Sequence, residues 1–171
     1  MTIQNIEIKA RTQNQAFIRE KLLSLEAVFK GIDHQTDTYF IVPSGRLKLR
    51  EGNIENHLIY YEREDQQSPK SSQVKLYKPE NPAALKEILT QALGVKVVVN
   101  KKREIYFVDN VKFHLDTLHS LGQFVEIEAI DNQGTMNVEE LYVQCRFYME
   151  LFRITPDALV SESYSDMLLK I

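Results

Sequence analysis

The sequence predicts an α+β protein: an antiparallel β-barrel or tunnel of about eight strands with helices packed on its outside. Three observations carry that prediction. Short segments alternate apolar and polar residues with a period of two, they follow one another mostly in hairpin order, and their polar members are often charges spaced i, i+2 opposite an apolar face. Asn5-Ile6-Glu7-Ile8-Lys9 shows the pattern most plainly, with Ile6 and Ile8 on one face and Asn5, Glu7 and Lys9 on the other.

After this first strand, Phe17, Ile18, Leu22, Leu25 and Phe29 recur at three- and four-residue intervals, which predicts an amphipathic helix over 14–29 that Gly31 ends. Residues 35–42 are β-branched and aromatic and read as a strand, and Pro43-Ser44-Gly45 is a turn signal. The next strand, Arg46-Leu47-Lys48-Leu49-Arg50, puts two leucines on one face and three cations on the other, and it makes a hairpin with Asp37-Thr38-Tyr39. Residues 57–63 form another strand, 64–73 are polar enough to read as a loop, and Val74 to Lys78 resumes strand character. Asn81 and Pro82 suit the cap and first turn of a helix over 83–93, which Gly94 stops. One long strand then carries Lys101, Arg103 and Ile105 on one face. Asp109-Asn110 turns the chain into 111–117, where His114 and Asp116 share a face, and in 124–128 Glu126 and Glu128 share one. The rest is helical: 138–152 with Leu141, Cys145, Tyr148, Met149 and Phe152 as its apolar stripe, a short helix from Pro156, and a closing segment 163–169.

A chain of 171 residues is long enough for one domain, 1–171, with a real core. Apolar content of 43% and charged content of 26% are ordinary for a globular protein. No apolar run is long enough to span a bilayer and the N-terminus lacks a signal-peptide pattern, so the expectation is a cytoplasmic protein without a membrane partner. One cysteine, Cys145, excludes an internal disulfide framework, and its helical apolar setting predicts a buried thiol. A net charge of -3 argues against nucleic acid as a partner. The oligomeric state is not fixed by the sequence, and a homodimer is compatible with it.

Taken together, the polar faces supply acids at Glu7, Glu126 and Glu128, with Asp116 beside them, and cations at Lys9, Arg46, Lys48, Arg50, Lys101 and Arg103. Charges of both signs inside a barrel require a wet or ligand-filled interior, because a buried unpaired charge costs several kcal/mol. Arg and Lys suit polyphosphate oxygens, and alternating carboxylates suit Mg²⁺ or Mn²⁺. The same alternation is met by a solvated sandwich whose acids and bases pair on its outside. Of the four histidines only His114 is expected in a cavity, and none forms a metal-ligand spacing. Tyr60 or Tyr61 is expected to pack in the barrel rather than stack on a base, and Lys70 and Ser72 to sit in a solvated loop.

In their order along the chain, these segments resemble the CYTH superfamily of triphosphate tunnel enzymes. Asn5-Ile6-Glu7-Ile8-Lys9 is similar to its opening Glu-x-Glu-x-Lys, and Arg46-Leu47-Lys48-Leu49-Arg50 to its basic strand. Lys101-Lys102-Arg103, His114-Leu115-Asp116 and Glu126-Ile127-Glu128 resemble the strands that follow, and the stretches around Gln35 and Tyr60 look closest to the class IV adenylate cyclase-like branch. The resemblance implies that Glu7, Glu126 and Glu128 hold Mg²⁺ or Mn²⁺, and that Lys9, Arg46, Lys48, Arg50, Lys101 and Arg103 bind the triphosphate. It implies catalytic roles for Lys9, Arg103 and Asp116, the last as a metal or water-orienting group. It also implies ATP or another triphosphate-bearing small molecule as the partner. The activity implied is conversion of ATP to cyclic AMP and pyrophosphate; a triphosphatase and a binding module without turnover are the alternatives. Asn5 departs from the signature by replacing its first acid with an amide, which implies that a second cation is held weakly or not at all.

Overall fold

A computed structural model describes residues 2–62 and 70–171. Eight strands close into a barrel: β1 (Thr2–Arg11), β2 (Val28–Phe40), β3 (Arg46–Glu51), β4 (His57–Glu62), β5 (Lys70–Tyr77), β6 (Val95–Val108), β7 (Val111–Leu118) and β8 (Gly122–Asp131). Their order around the wall is β1-β5-β4-β3-β2-β6-β7-β8, and every neighbouring pair is antiparallel. Among the described residues, closure leaves none of these eight strands with an unpaired edge. The helices are α1 (Gln15–Ser24), α2 (Pro82–Leu93), α3 (Val138–Leu151) and α4 (Tyr164–Leu169), with a single 3-10 turn at Pro156–Ala158. None is long and apolar enough to cross a membrane.

The helix starts follow from their caps. Asn14, Asn81 and Asn137 each accept a backbone N–H of the first turn, and Asn137 and Glu140 form a reciprocal capping box. The outward faces of β1, β7 and β8 carry Ile6, Ile8, Phe113, Leu115, Val125 and Ile127, which pack against Ile18, Leu22, Leu141 and Cys145 from α1 and α3. Each such side chain contributes roughly 1.5–3 kcal/mol on burial. Cys145 is part of this core; burial pushes its thiol up to about 12, and its Sγ lies 3.2 Å from the Ile6 carbonyl oxygen. A second cluster of Tyr39, Val99, Leu118, Phe124, Tyr164 and Met167 seats α4 on one end of the barrel.

Two boundaries differ from the sequence reading. The first helix stops at Ser24, not near Phe29: Glu26 takes a left-handed φ of 56°, and Ala27 N donates to the Leu22 carbonyl. Val28 already pairs with Phe107, so the helical spacing of Phe29 was coincidental. Gly31, with φ 118°, sits at a register shift inside β2 instead of at a helix end. The second difference concerns the polar stretch 64–73. Residues 64–69 lie outside the described residues, whereas 70–73 form the start of β5, because Ser71, Ser72 and Gln73 pair with Ile6, Asn5 and Gln4 of β1.

Candidate active site

The inward rows of the strands line a cavity of about 300 Å³ that includes Asn5, Glu7, Lys9, Lys48, Arg50, Lys101, Arg103, Lys112, Glu126 and Glu128. The alternation read in the sequence puts them there: apolar outward residues are held under α1 and α3, so their charged neighbours in β1, β7 and β8 point inward.

Three of the cations converge on one carboxylate. Asp37, fully buried, faces Arg50 in the β2–β3 register. Arg50 Nε and Nη2 both donate to it at 2.8 Å, Lys101 Nζ donates at 2.9 Å and Lys48 Nζ at 3.1 Å. Burial pushes the Asp37 carboxyl up, but Arg50, Lys101 and Lys48 outweigh it and hold it well below the usual range. Lys101 has the opposite balance. Burial, with Arg50, Arg103 and Lys48 nearby, pushes its ammonium down to about 7 against the pull of Asp37. One negative charge thus gathers three positive ones, and the excess positive charge faces the cavity.

On the other side, Arg103 donates to both oxygens of Asp116 at 2.7 and 2.6 Å and to Glu126 at 3.0 Å. Tyr164 of α4 donates to Asp116 at 2.7 Å. Glu126 also meets Lys9 at 3.4 Å and His114 Nδ1 at 3.0 Å. Burial pushes the Glu126 carboxyl up, yet Arg103, Lys9 and His114 hold it well below the ordinary value. Burial and the Arg103 charge push His114 down to about 4, so the ring is neutral near pH 7. Its Nδ1 then carries the proton that it gives to Glu126. Lys9 Nζ lies 3.9 Å from the Tyr164 ring centroid.

Glu128 behaves differently from Glu126. It faces Glu7 directly across β1 and β8. Burial and the Glu7 charge raise its carboxyl above the ordinary value, although Lys112 pulls the other way. Asn5 Nδ2 donates to Glu128 Oε1 at 2.7 Å, and Ser72 Oγ donates to Asn5 Oδ1 at 2.7 Å. The amide oxygen of Asn5 is therefore turned to Ser72, and its NH₂ occupies the side that meets Glu128.

Of the residues singled out in the sequence, Glu7, Lys9, Lys48, Arg50, Lys101, Arg103, Glu126 and Glu128 all line this cavity. Arg46 and Asp116 are not among its lining residues. Arg46 pairs with Asp166 of α4 at 2.7 Å, and Asp116 has no exposed surface, its two oxygens being engaged by Arg103 and Tyr164. Asp116 thus stands behind Arg103 as a positioning group, not at the position of a metal or water ligand. His57 joins His114 on the wall, contrary to the expectation that His114 would be alone there. Tyr61 also faces in, whereas Tyr60 faces out and donates to Glu62 at 2.6 Å. Ser72 lines the cavity too and is not in a solvated loop.

The sequence reading missed Asp37, Glu55, Lys112 and Tyr164 as site residues. Asp37 had a usable signal, since its hairpin with the basic strand sets it opposite Arg50. Glu55 had none. It leaves an irregular turn, where Asp33 accepts the backbone N–H groups of Ile54 and Glu55 at 3.0 and 2.9 Å, and it reaches Lys112 and Arg50.

The CYTH domain model matches residues 4–148. The chain belongs to the CYTH domain family. Among solved structures, this CYTH chain is similar to the PH1012 protein of Pyrococcus horikoshii OT3, at 28% identity and a TM-score of 0.81 over 95% of this chain and 98% of that one. It is also similar to a proposed adenylate cyclase of Vibrio parahaemolyticus, at 18% identity and a TM-score of 0.75 over 96% and 97% of the two chains. An RNA triphosphatase of Schizosaccharomyces pombe matches at 11% identity with a TM-score of 0.53, over 95% and 87%. The last two likenesses are likenesses of fold. No curated protein matches the chain.

The donor set of this CYTH tunnel fits a divalent cation at one place. Glu7 and Glu128 are hard oxygen donors facing each other across the β1–β8 ladder, and both line the cavity. Glu126 is already committed to Lys9, Arg103 and His114. Among the described residues, no three His, Cys, Asp or Glu side chains are gathered around one point as a ready metal site.

Proposed function

We propose that the tunnel binds a triphosphate with one Mg²⁺ or Mn²⁺, and that the reaction is that of a class IV adenylate cyclase. In that reaction the 3′-oxygen of ATP bonds to the α-phosphorus as its proton passes to water, the bond from the α-phosphorus to the oxygen bridging it to β breaks, and pyrophosphate leaves. The observation that carries the binding part is the convergence of Lys9, Lys48, Arg50, Lys101, Arg103 and Lys112 on one cavity. A bound triphosphate would share Arg50, Lys101 and Lys48 with Asp37 on one side and meet Lys9, Arg103 and Lys112 on the other. These groups orient the chain and balance the charge that builds on the leaving oxygen. Asp116 and Tyr164 hold Arg103 in place. Glu7 and Glu128 would hold the metal, which supplies further positive charge to the phosphate oxygens.

A second reading is a triphosphate-binding module without turnover. It is favoured by the Asn5 amide, whose NH₂ faces Glu128 where the family signature has an acid. Phosphorus NMR separates the readings. The protein is incubated with ATP, and separately with inorganic triphosphate, in Mg²⁺ and in Mn²⁺. Cyclic AMP with pyrophosphate is the expected result. Orthophosphate without a cyclic product would reassign the reaction to hydrolysis, and binding without any product would leave the second reading.

A further inference from the structure

The charges on the inner wall are sorted along the barrel. α4 closes one end, where Tyr164 and Met167 pack on Tyr39, Val99, Leu118 and Phe124. Going away from that end, Lys9 and Glu126 face each other in one layer, and Glu7 and Glu128 in the next. The inward row of β3 passes from Lys48, opposite Tyr39, to Arg50, opposite Asp37, and the turn that follows brings in Glu55. Cations therefore dominate the section next to α4, and carboxylates bound it on the far side. Lys112 is the cation set among those carboxylates: it faces Glu128 in the β7–β8 register and pairs with Glu55.

Glu55 comes from the turn 52–56 between β3 and β4, and that turn is fixed by its backbone. Asp33 accepts the N–H groups of Ile54 and Glu55. Asn53 accepts the His34 N–H at 2.7 Å and donates to the Ile32 carbonyl at 3.0 Å. A Cβ at Gly52 would lie 2.5 Å from Asp33 Oδ1, so glycine is what lets the turn come this close. The half-buried Glu55 carboxylate is itself held from three strands. Gln35 Nε2 of β2 donates to it at 3.0 Å, Arg50 Nη1 of β3 lies at 3.6 Å and Lys112 of β7 pairs with it. Burial raises its carboxyl, but Lys112 and Arg50 outweigh that and hold it below the usual range. Glu55 is thus a fixed negative charge at the far limit of the cationic section.

Building on the triphosphate reading above, we propose that Glu55 sets the length of phosphate chain that the tunnel accepts, by standing where a fourth phosphate would lie. With α4 closing the other end, a longer chain can only extend toward Glu55. There it meets a cation, Lys112, that is already shared between two carboxylates. Like charges a few ångströms apart in a half-buried site shift affinity by about tenfold or more. A cavity selective through cations alone behaves in the opposite way, since each added phosphate brings more charge for them to hold.

The test is a ladder of inorganic di-, tri- and tetraphosphate on the unmodified protein, measured by calorimetry with Ca²⁺ in place of Mg²⁺ to hold back turnover. Affinity is expected to rise from two phosphates to three and to fall by about tenfold at four. Glu55→Gln keeps the hydrogen bond from Gln35 and removes the charge, and it is expected to abolish the fall. Lys112→Met leaves Glu55 without its nearest counter-charge and is expected to deepen the fall. Affinity that keeps rising to four phosphates in the unmodified protein overturns the proposal and leaves the triphosphate reading standing. So does a fall that Glu55→Gln leaves unchanged, or one that Lys112→Met reduces. Failure of all three ligands to bind the unmodified protein overturns both. Because the ladder needs no substitution, a poorly folding variant does not blunt it.

Discussion

β5 and β8 are the two ladder partners of β1, and they carry opposite alternations. In β8 the outward residues Val125, Ile127 and Ala129 are buried in the core beneath α1 and α3, and Glu126 and Glu128 point inward. In β5 the outward residues Ser71, Gln73 and Lys75 are exposed, while Ser72, Val74 and Leu76 point inward. A strand needs one apolar face out of water. In β8 a helix layer covers the apolar outside and the inside carries charge, whereas in β5 the outside meets solvent and the inside is largely apolar. The helix layer is not the sole requirement for inward charge, since β6 points Lys101 and Arg103 inward while Asn100 and Lys102 outside them are exposed.

The largest effect is expected where charge is concentrated. Asp37→Asn leaves Arg50, Lys101 and Lys48 buried without their shared counter-ion and should lower stability by about 3–5 kcal/mol in urea unfolding. Added inorganic triphosphate should restore part of the loss, since it supplies the missing negative charge; a loss that no anion relieves would break the account of this cluster. Next in size is the helix-covered wall. Ile127→Ala should cost about 2–5 kcal/mol by the same measurement, whereas Lys75→Ala on the uncovered side should stay within about 0.5 kcal/mol. Similar costs at both sites would remove the basis of the comparison.

Two smaller effects concern binding. With Lys101 near 7, anion affinity should depend on pH. The bound triphosphate favours the ammonium, so its contribution is full below pH 7 and is lost as pH rises above it, by up to about tenfold per pH unit. Calorimetric titrations from pH 6 to 9 should show this loss, and Lys101→Met should remove it. Asn5→Glu restores an acid beside Glu128 and should tighten Mn²⁺ binding by about tenfold, measured by Mn²⁺ electron paramagnetic resonance. An unchanged affinity would mean that Asn5 is remote from the metal position.

Much of this was legible in the sequence. The period-two charges of β1, β3, β6, β7 and β8 were read directly, because each of these strands turns one row of its alternation into the cavity. The start of β2 was not, since Leu25 and Phe29 keep a helical spacing by chance and the break at Glu26 uses a left-handed residue that is not glycine. The polar start of β5 lacks strand propensity and owes its structure to the β1 ladder. Asp37 was placed in its hairpin, but its grip on Lys101 depends on the β2–β6 pairing across a gap of 64 residues. Tyr164 reaches Asp116 only because α4 folds back over the end of the barrel.

The most direct measurement is a crystal structure of the protein with Mn²⁺ and an ATP analogue carrying a methylene bridge between its α- and β-phosphorus atoms. The account predicts an anomalous Mn²⁺ peak beside Glu7 and Glu128 and phosphate oxygens on Lys48, Arg50, Lys101 and Arg103. A metal held elsewhere, or a triphosphate bound outside the barrel, would contradict it.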